Sequence, residues 1–363
     1  MNNLNTIALL LFSLLLHAQS PFQSPKGLFL IQTDLHTHSV FSDGQVWPDI
    51  RVEEALKEGL DLLAITEHLE YQPHQKDIPH PDRNRAYHIA EERAQNQEKL
   101  SIINGAEITR SMAPGHINAV FIKDANTLLH KDSLSGILEA NRQKGFVFWN
   151  HPTWDGQRPD GIARLEPFHH YLIKEKLLHG IEVVNEVTYS EEAFQIALDN
   201  NLTILGTSDI HGLTNWLFEI DKGGHRPTTF VLSPSADKND IKKALFEAKT
   251  VVWFKDILLG KQEHIQALLK ENLVAKAIGY GPKNSIAEVM LVNKSALPMI
   301  LSYEGEYSFY RNSRTVRIPA YESITLGVKT VERVQRVALD FTIENILTGP
   351  QKSAKMRFNV ILQ

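Results

Sequence analysis

Two short runs place ligand-type side chains two residues apart: Asp34-Leu35-His36-Thr37-His38 and Asp209-Ile210-His211. Alternate residues of a strand point to one face, so each run can aim both side chains at a single ion. A lone histidine pair would mean little, but more residues of the same kind stand at or beside other apolar, strand-like runs. These are Asp43 in Ser42-Asp43-Gly44, His68 after Thr66-Glu67, Glu107 after Gly105-Ala106, His116 after Gly115 and His151 between Asn150 and Pro152. With Asp34 set aside, they make six histidines and three carboxylates. The chain has no cysteine, which excludes disulfide frameworks, thiolate zinc sites, iron–sulfur clusters and a cysteine nucleophile. Any metal must be held by nitrogen and oxygen, a donor set that suits manganese, zinc or iron.

The elements that must position these residues are legible as alternating apolar runs and helical patterns. Candidate strands cover 28–35, 60–66, 100–107, 117–122, 146–150, 181–185, 203–208, 228–232 and 250–254, and helices are expected at 46–59, 191–200 and 241–248. Such alternation predicts repeated βα units around a parallel sheet or barrel, in which strand ends converge on one rim. After Gly260 the texture changes. The stretch 262–277 reads as one helix, and strand-like segments at 288–292, 299–303, 315–318, 323–328, 337–344 and 354–361 predict a small β-sandwich. The expected organisation is therefore a leader at 1–18, an α/β domain at 28–260, a helical linker at 261–283 and a β-sandwich accessory domain at 284–363.

The ordered set of ligand-type residues resembles the PHP (polymerase and histidinol phosphatase) superfamily over roughly residues 30–255. The resemblance implies a distorted (β/α)7 barrel with a trinuclear metal centre. It implies that His36, His38, Glu107 and Asp209 hold the first metal, that a bridging Glu107 with His116 and His151 holds the second, and that Asp43, His68 and His211 hold the third. One departure is Glu67, which stands where Asp usually precedes the second-motif histidine. A bridging carboxylate offsets the repulsion of two close cations, and those cations can share a hydroxide whose pKa they depress, the expected nucleophile. Glu107, Asp209 and His211 would then sit at the chemistry. More narrowly, TEHLEY, IPHPDRNR, ITRSMAPGH, FWNHP, HGIEVVN and GTSDIH together resemble the Sphingobium-type (Sb-PDE) branch of PHP phosphodiesterases. That likeness implies a small phosphate diester as substrate.

The segment 70–87 after His68 is long enough to form a lid over such a site. Within it Arg83 and Arg85, and beyond it Arg110, are candidates to grip phosphoryl oxygens, because a guanidinium fork matches two of them. His74 and His80 share the lid and are weaker candidates to protonate a leaving group. Trp149, two residues before His151, should face the barrel interior as core. Trp154, Tyr189 and Trp216 are candidate walls for an ester arm, and the run His225-Arg226-Pro227 is expected near the rim.

Residues 7–16 form an apolar run of signal-peptide length, too short for the roughly 20 residues that span a bilayer. Export to the periplasm or beyond is expected, with no membrane anchor after cleavage. A balance of 38 basic to 43 acidic residues lacks the basic excess of a nucleic-acid binder, so no stable nucleic-acid partner is expected. With 42% hydrophobic and 22% charged residues, a packed core is expected, not a disordered chain. The competing readings are a phosphomonoesterase of histidinol-phosphatase type, a nucleotide-trimming exonuclease, and a metal-binding or adhesion scaffold without turnover.

Overall fold

The computed structural model describes residues 20–362, and the apolar run at 7–16 lies outside them. The first domain carries β1 (Phe29–Asp34), β2 (Leu62–Ile65), β3 (Ser101–Ile108), β4 (Ile117–Val120), β5 (Phe146–Trp149) and β6 (Gly180–Asn185). These are followed by β7 (Thr188–Tyr189), β8 (Thr203–Thr207), β9 (Thr228–Ser233), β10 (Thr250–Phe254) and β11 (Ile257–Gly260). Neighbouring strands are parallel for β1–β2, β2–β3, β5–β6 and β6–β8, but β4 runs antiparallel to both β3 and β5. That reversal is what makes the barrel distorted, and it brings the beginning of β4 to the rim where the other strands end. Strand β9 is antiparallel to β1. The seam between β8 and β9 is closed by side chains: Thr229 Oγ1 accepts from the Gly206 amide at 2.9 Å and donates to its carbonyl at 2.8 Å.

Side-chain alternation sorts each strand into an inner and an outer face. Ile31, Leu62, Ala64, Ile103, Val120, Phe146, Phe148, Leu205 and Val231 fill the interior, while Val147 and Trp149 pack outward with Leu172 and Ile181. Trp149 is thus core, but not on the interior face expected from its spacing to His151. It stacks on His169 of the helix Pro167–Lys174 with centroids 4.1 Å apart. Two-residue parity fails because His151 lies past the strand end with φ of 25°, which turns its side chain away from the outer face.

The helix Gln262–Asn272 ends where the expected linker helix was to continue, and β12 (Leu273–Tyr280) follows at once. It pairs antiparallel with β13 (Ile286–Asn293), starting at Leu273 opposite Asn293. Apolar spacing alone does not separate a short helix from a half-buried strand, and the partner strand decides. The remaining strands are β14 (Met299–Tyr303), β15 (Ser308–Tyr310), β16 (Thr315–Ile318), β17 (Ser323–Lys329), β18 (Arg336–Gly349) and β19 (Lys352–Ile361). One sheet of the sandwich is β12-β13-β17-β15; the other, holding β16, β14, β18 and β19, is continuous with the barrel through parallel β11–β18 pairing.

The two domains also share a core. Phe22, Leu30, Phe230 and Val251 cluster with Leu291, Leu301, Phe341 and Ile343. Phe22 lies between the expected leader and the expected start of the α/β domain, yet it is buried edge-on against Phe230 and Trp253 at 5.4 and 5.5 Å. Among the described residues no helix is long and apolar enough to cross a membrane.

Candidate metal centre

All nine ligand-type residues meet at one rim. His36 and His38 follow β1, His68 follows β2, Glu107 lies within β3, His116 precedes β4, His151 follows β5, and Asp209 and His211 follow β8. Glu107 is central and fully buried. Its Oε1 lies 2.8 Å from His116 Nδ1 and 3.5 Å from His151 Nε2. Its Oε2 lies 3.0 Å from His68 Nδ1, 3.2 Å from His38 Nε2 and 3.3 Å from His36 Nε2. Asp209 Oδ1 stands 3.2 Å from His36 Nε2 and 3.1 Å from His38 Nε2, and Asp43 lies 3.4 Å from His68 and 3.2 Å from His211. Three overlapping groups have donor atoms close enough to hold an ion: His36, His38 and Glu107; His68, Glu107 and His116; and His38, Asp43, His68 and His211.

The chemistry of these donors fits cations. His36 Nδ1 donates to Glu182 at 2.7 Å, which leaves the Nε2 lone pair of a neutral ring aimed at the anionic oxygens of Glu107 and Asp209. His211 is arranged in the same way, its Nδ1 donating to the Asp209 carbonyl at 2.7 Å while Nε2 faces Asp43. A hydrogen bond on one ring nitrogen is how proteins orient a metal-binding histidine. A lone pair facing a carboxylate needs a proton or a cation between them.

The electrostatics express the same demand. Burial opposes charging His38, but bonds and attraction to Asp209 and Glu107 outweigh it and push its pKa up to about 10. His36 is likewise held well above the usual imidazole range, burial being overcome by Asp209, Glu182 and Glu107. Burial alone would raise Glu107 and Asp209, yet the surrounding histidines hold both well below the carboxylate range. At pH 7 the metal-free cluster therefore carries protons that an entering cation must displace. Manganese loading at pH 7 is expected to release protons, and apparent affinity should climb as pH rises toward 10. Calorimetry in two buffers of different ionisation enthalpy measures this, and identical heats in both would contradict it.

Local structure explains how the loops hold these positions. Gly44 packs so closely on the His38–Ser39 backbone that a Cβ would come within 2.7 Å of it, so only glycine lets this turn present Asp43. His151 and Asp209 sit at positive φ, 25° and 47°, the strained backbone that often accompanies functional residues. Buried Arg51 donates to the His38, Ile210 and His211 carbonyls, tying the first and last ligand loops together. Glu67 accepts from the Ser39 amide at 3.1 Å and from the Ser39 and Ser42 hydroxyls, and Ser42 in turn lies 3.2 Å from His38 Nδ1. The Glu at this position thus braces His38 through serines.

Three supporting residues lie within FWNHP and HGIEVVN, runs that carry the family resemblance but assign these side chains no role. Glu182 sits inside β6 and accepts from His36, from Thr207 Oγ1 and from the His151 amide. Asn150 donates to Glu107 Oε1 at 2.9 Å, and Asn185 donates to Asp209 Oδ2 at 3.2 Å. Their strand-end positions, and their place in FWNHP and HGIEVVN, are the signals that could have singled out these asparagines.

Over the centre lies a cavity of about 800 Å³. Its walls include Asp43, His68, His116, His151, Asp209 and His211, with Tyr71, Thr109, Trp154, Asp155, Asn185 and Glu186 around them. Trp154 stands over the ligands, its ring 5.4 Å from both His116 and His151. Burial, reinforced by the Asp209 charge, raises the Glu186 carboxyl above its usual value.

The expected arginines are elsewhere. Arg110 is held by Glu70 at 2.7 Å and by the His130 carbonyl, Arg83 donates to the His80 carbonyl, and Arg85 starts the helix Arg85–Ala94 with its side chain exposed. The expected lid flanks the site instead of covering it, and contributes only Tyr71 to the cavity wall. Its remainder is fastened down: Gln72 donates to the His68 carbonyl, and Asn84 bonds Asp124. His80 is buried against Phe41 and bonds Gln72, so it braces the segment and does not face the cavity; His74 does not line it either. Tyr189 and Trp216 also lie outside the cavity wall, Trp216 packing against Gly212. Arg226 is buried in a pair with Asp34 and Glu58, and its neighbour His225 stacks on Trp253.

Fold and site together define a distorted α/β barrel bearing a histidine–carboxylate cluster that could hold metal ions, with an appended β-sandwich. A PHP domain model matches residues 34–205, and an Ig-like domain model matches residues 274–359. A two-domain protein from Bacteroides vulgatus containing a predicted PHP-like metal-dependent phosphoesterase is 34% identical, across 94% of this chain and 98% of that chain, with a TM-score of 0.88. The chain belongs to the PHP family. PsfC from Pseudomonas syringae is more distant, with 19% identity over 62% of this chain and 91% of that chain and a TM-score of 0.41. An amidohydrolase from Chromobacterium violaceum, with bound sulfate and no metal, shows 16% identity over 54% and 90% of the two chains and a TM-score of 0.38. No curated protein matches.

Proposed function

We propose that this chain is an exported, metal-dependent phosphodiesterase that hydrolyses small phosphate diesters. The observation that carries the reading is a cavity over nine converging nitrogen and oxygen ligands, with neither lysine nor arginine among its described lining residues. A phosphate monoester dianion exposes three oxygens that such sites usually meet with guanidinium groups, whereas a diester exposes two and adds a second alcohol arm. Two or three divalent cations, of manganese, zinc or iron, would neutralise charge on phosphoryl oxygens and lower the pKa of a water molecule.

The residues that would hold them are His36, His38, Glu107 and Asp209 for the first, Glu107, His116 and His151 for the second, and Asp43, His68 and His211 for the third. Glu107 reaches both sides through its two oxygens. Glu182 keeps the His36 lone pair pointed inward, Asn150 and Asn185 orient the Glu107 and Asp209 carboxylates, and Trp154 and Tyr71 wall the cavity where an ester arm would lie. Export rests on the apolar run at 7–16.

The test compares purified, manganese-loaded protein on bis(p-nitrophenyl) phosphate and p-nitrophenyl phosphate, with His36→Ala as the control. Preference for the diester, abolished by the substitution, is expected. Preference for the monoester would make the protein a phosphatase, and silence on both would favour a non-catalytic scaffold. Secretion of an epitope-tagged full chain, lost when residues 7–16 are deleted, tests the export reading.

A further inference from the structure

The metal ligands use two of the carboxylates that line the cavity, Asp43 and Asp209. Two others, Asp155 and Glu186, line the same cavity and have no role in the ligand set. Among the described residues neither forms a salt bridge with lysine or arginine, in a protein where Glu58, Glu54, Glu70 and Glu139 all do. Trp154 is 46% exposed and Tyr71 52% exposed, both on this wall. The indole is not there by slack packing. Its backbone amide donates to the His151 carbonyl, its carbonyl accepts from the Gln157 and Arg158 amides, and a Cβ on Gly156 would come within 2.6 Å of the ring. The ring is thus held beside His116 and His151 with a large part of its surface open to the cavity.

Exposed aromatic rings beside unpaired carboxylates, without a competing lysine or arginine, are the elements with which proteins bind alkylammonium groups. An anionic arm would face the Asp155 and Glu186 carboxylates with neither lysine nor arginine among the described lining residues to pair with it. A neutral arm could stack on the indole but would leave the carboxylates unused. Resting on the phosphodiesterase reading above, we propose that the cavity selects phosphate diesters in which one alcohol carries a quaternary or protonated amine, seated against Trp154 and Tyr71 and drawn by Asp155 and Glu186.

The experiment uses the manganese-loaded full chain and two esters with the same leaving group, p-nitrophenyl phosphocholine and p-nitrophenyl 3,3-dimethylbutyl phosphate, whose retained arm is the uncharged carbon isostere. About a tenfold preference in kcat/KM for the choline ester is expected, expressed mainly in KM. Trp154→Leu and Glu186→Gln should each move that ratio toward one. Equal kcat/KM values for the wild-type protein, or a ratio that neither substitution moves, would overturn the proposal. A preference for the uncharged ester would mean an apolar or sugar-like arm instead.

A second readout does not depend on turnover. Tetramethylammonium chloride titrated into metal-free protein should shift one tryptophan indole N–H resonance, the one missing from Trp154→Leu, and should leave it unmoved in matched sodium chloride. If neither ester nor bis(p-nitrophenyl) phosphate is hydrolysed, the phosphodiesterase reading fails, and the resonance alone then decides whether the cavity binds cationic amines. No shift would overturn that as well.

Discussion

Replacing Glu107 by Gln is expected to empty more than one metal position at once and to lower kcat/KM on a phosphate diester on the order of 10³-fold. Lewis-acid stabilisation by bound cations is worth several kcal/mol in a transition state, and each 1.36 kcal/mol is a factor of ten. The size follows from position, since Glu107 Oε1 and Oε2 lie between 2.8 and 3.5 Å from ring nitrogens of His36, His38, His68, His116 and His151. An amide keeps the shape but removes the charge, and it turns an N–H toward nitrogens whose lone pairs are needed for metal. Metal-to-protein ratios by plasma mass spectrometry, taken beside the rate, separate the outcomes. Loss of a single ion with the others retained would refute the bridging role.

The second large effect is on stability. Arg226→Met is expected to cost roughly 3–5 kcal/mol, because it strips the partner from two buried carboxylates. Arg226 is 1% exposed, with Nη1 2.9 Å from Asp34 Oδ2 and Nη2 2.7 Å from Glu58 Oε1. Burial opposes its charge, and attraction to Glu58 and Asp34 more than restores it. Asp34 also accepts from the Ser208 amide at 3.1 Å and from the Ser208 hydroxyl, immediately before Asp209. Loss of the arginine should therefore loosen the last ligand loop as well as the fold.

Urea unfolding of the metal-free protein measures the cost. The triple substitution Arg226→Met, Asp34→Asn, Glu58→Gln should regain part of it, because no unpaired charge is then left buried. A loss below about 1 kcal/mol in the single variant would mean that water reaches the pair.

What the sequence conveyed was local. Every metal-ligand candidate except the loop residue Asp43 stands at or close to the end of a strand readable from apolar runs, and such strand ends share a rim in an α/β barrel whatever the loops between them do. That is why sequence alone groups His36, His68, His151 and Asp209. The supporting groups could not. Glu182 is one acidic residue inside a strand, and only closure of the barrel through β6 and β8 places it 2.7 Å from His36 Nδ1.

Charged and aromatic side chains outside the strands were the least legible, because long side chains reach whichever partner the fold supplies. Arg110 meets Glu70 and leaves the phosphate-binding role expected of it, and Arg226, expected near the rim, is buried against Asp34. Trp149 turned outward because the backbone of His151 breaks the alternation on which the expectation rested.

The sequence by itself determined the ligand types, their order and the strands that carry them, since these depend on residue identity and period-two spacing. Tertiary structure alone decided that Leu273 begins a strand, that β18 extends the barrel sheet through β11, and that Trp154, Tyr71, Asp155 and Glu186 join the ligands on the cavity wall with no arginine among its described lining residues. Those outcomes depend on strand partners and on side chains far apart in the chain, whose pairing energies exist only once the elements have packed.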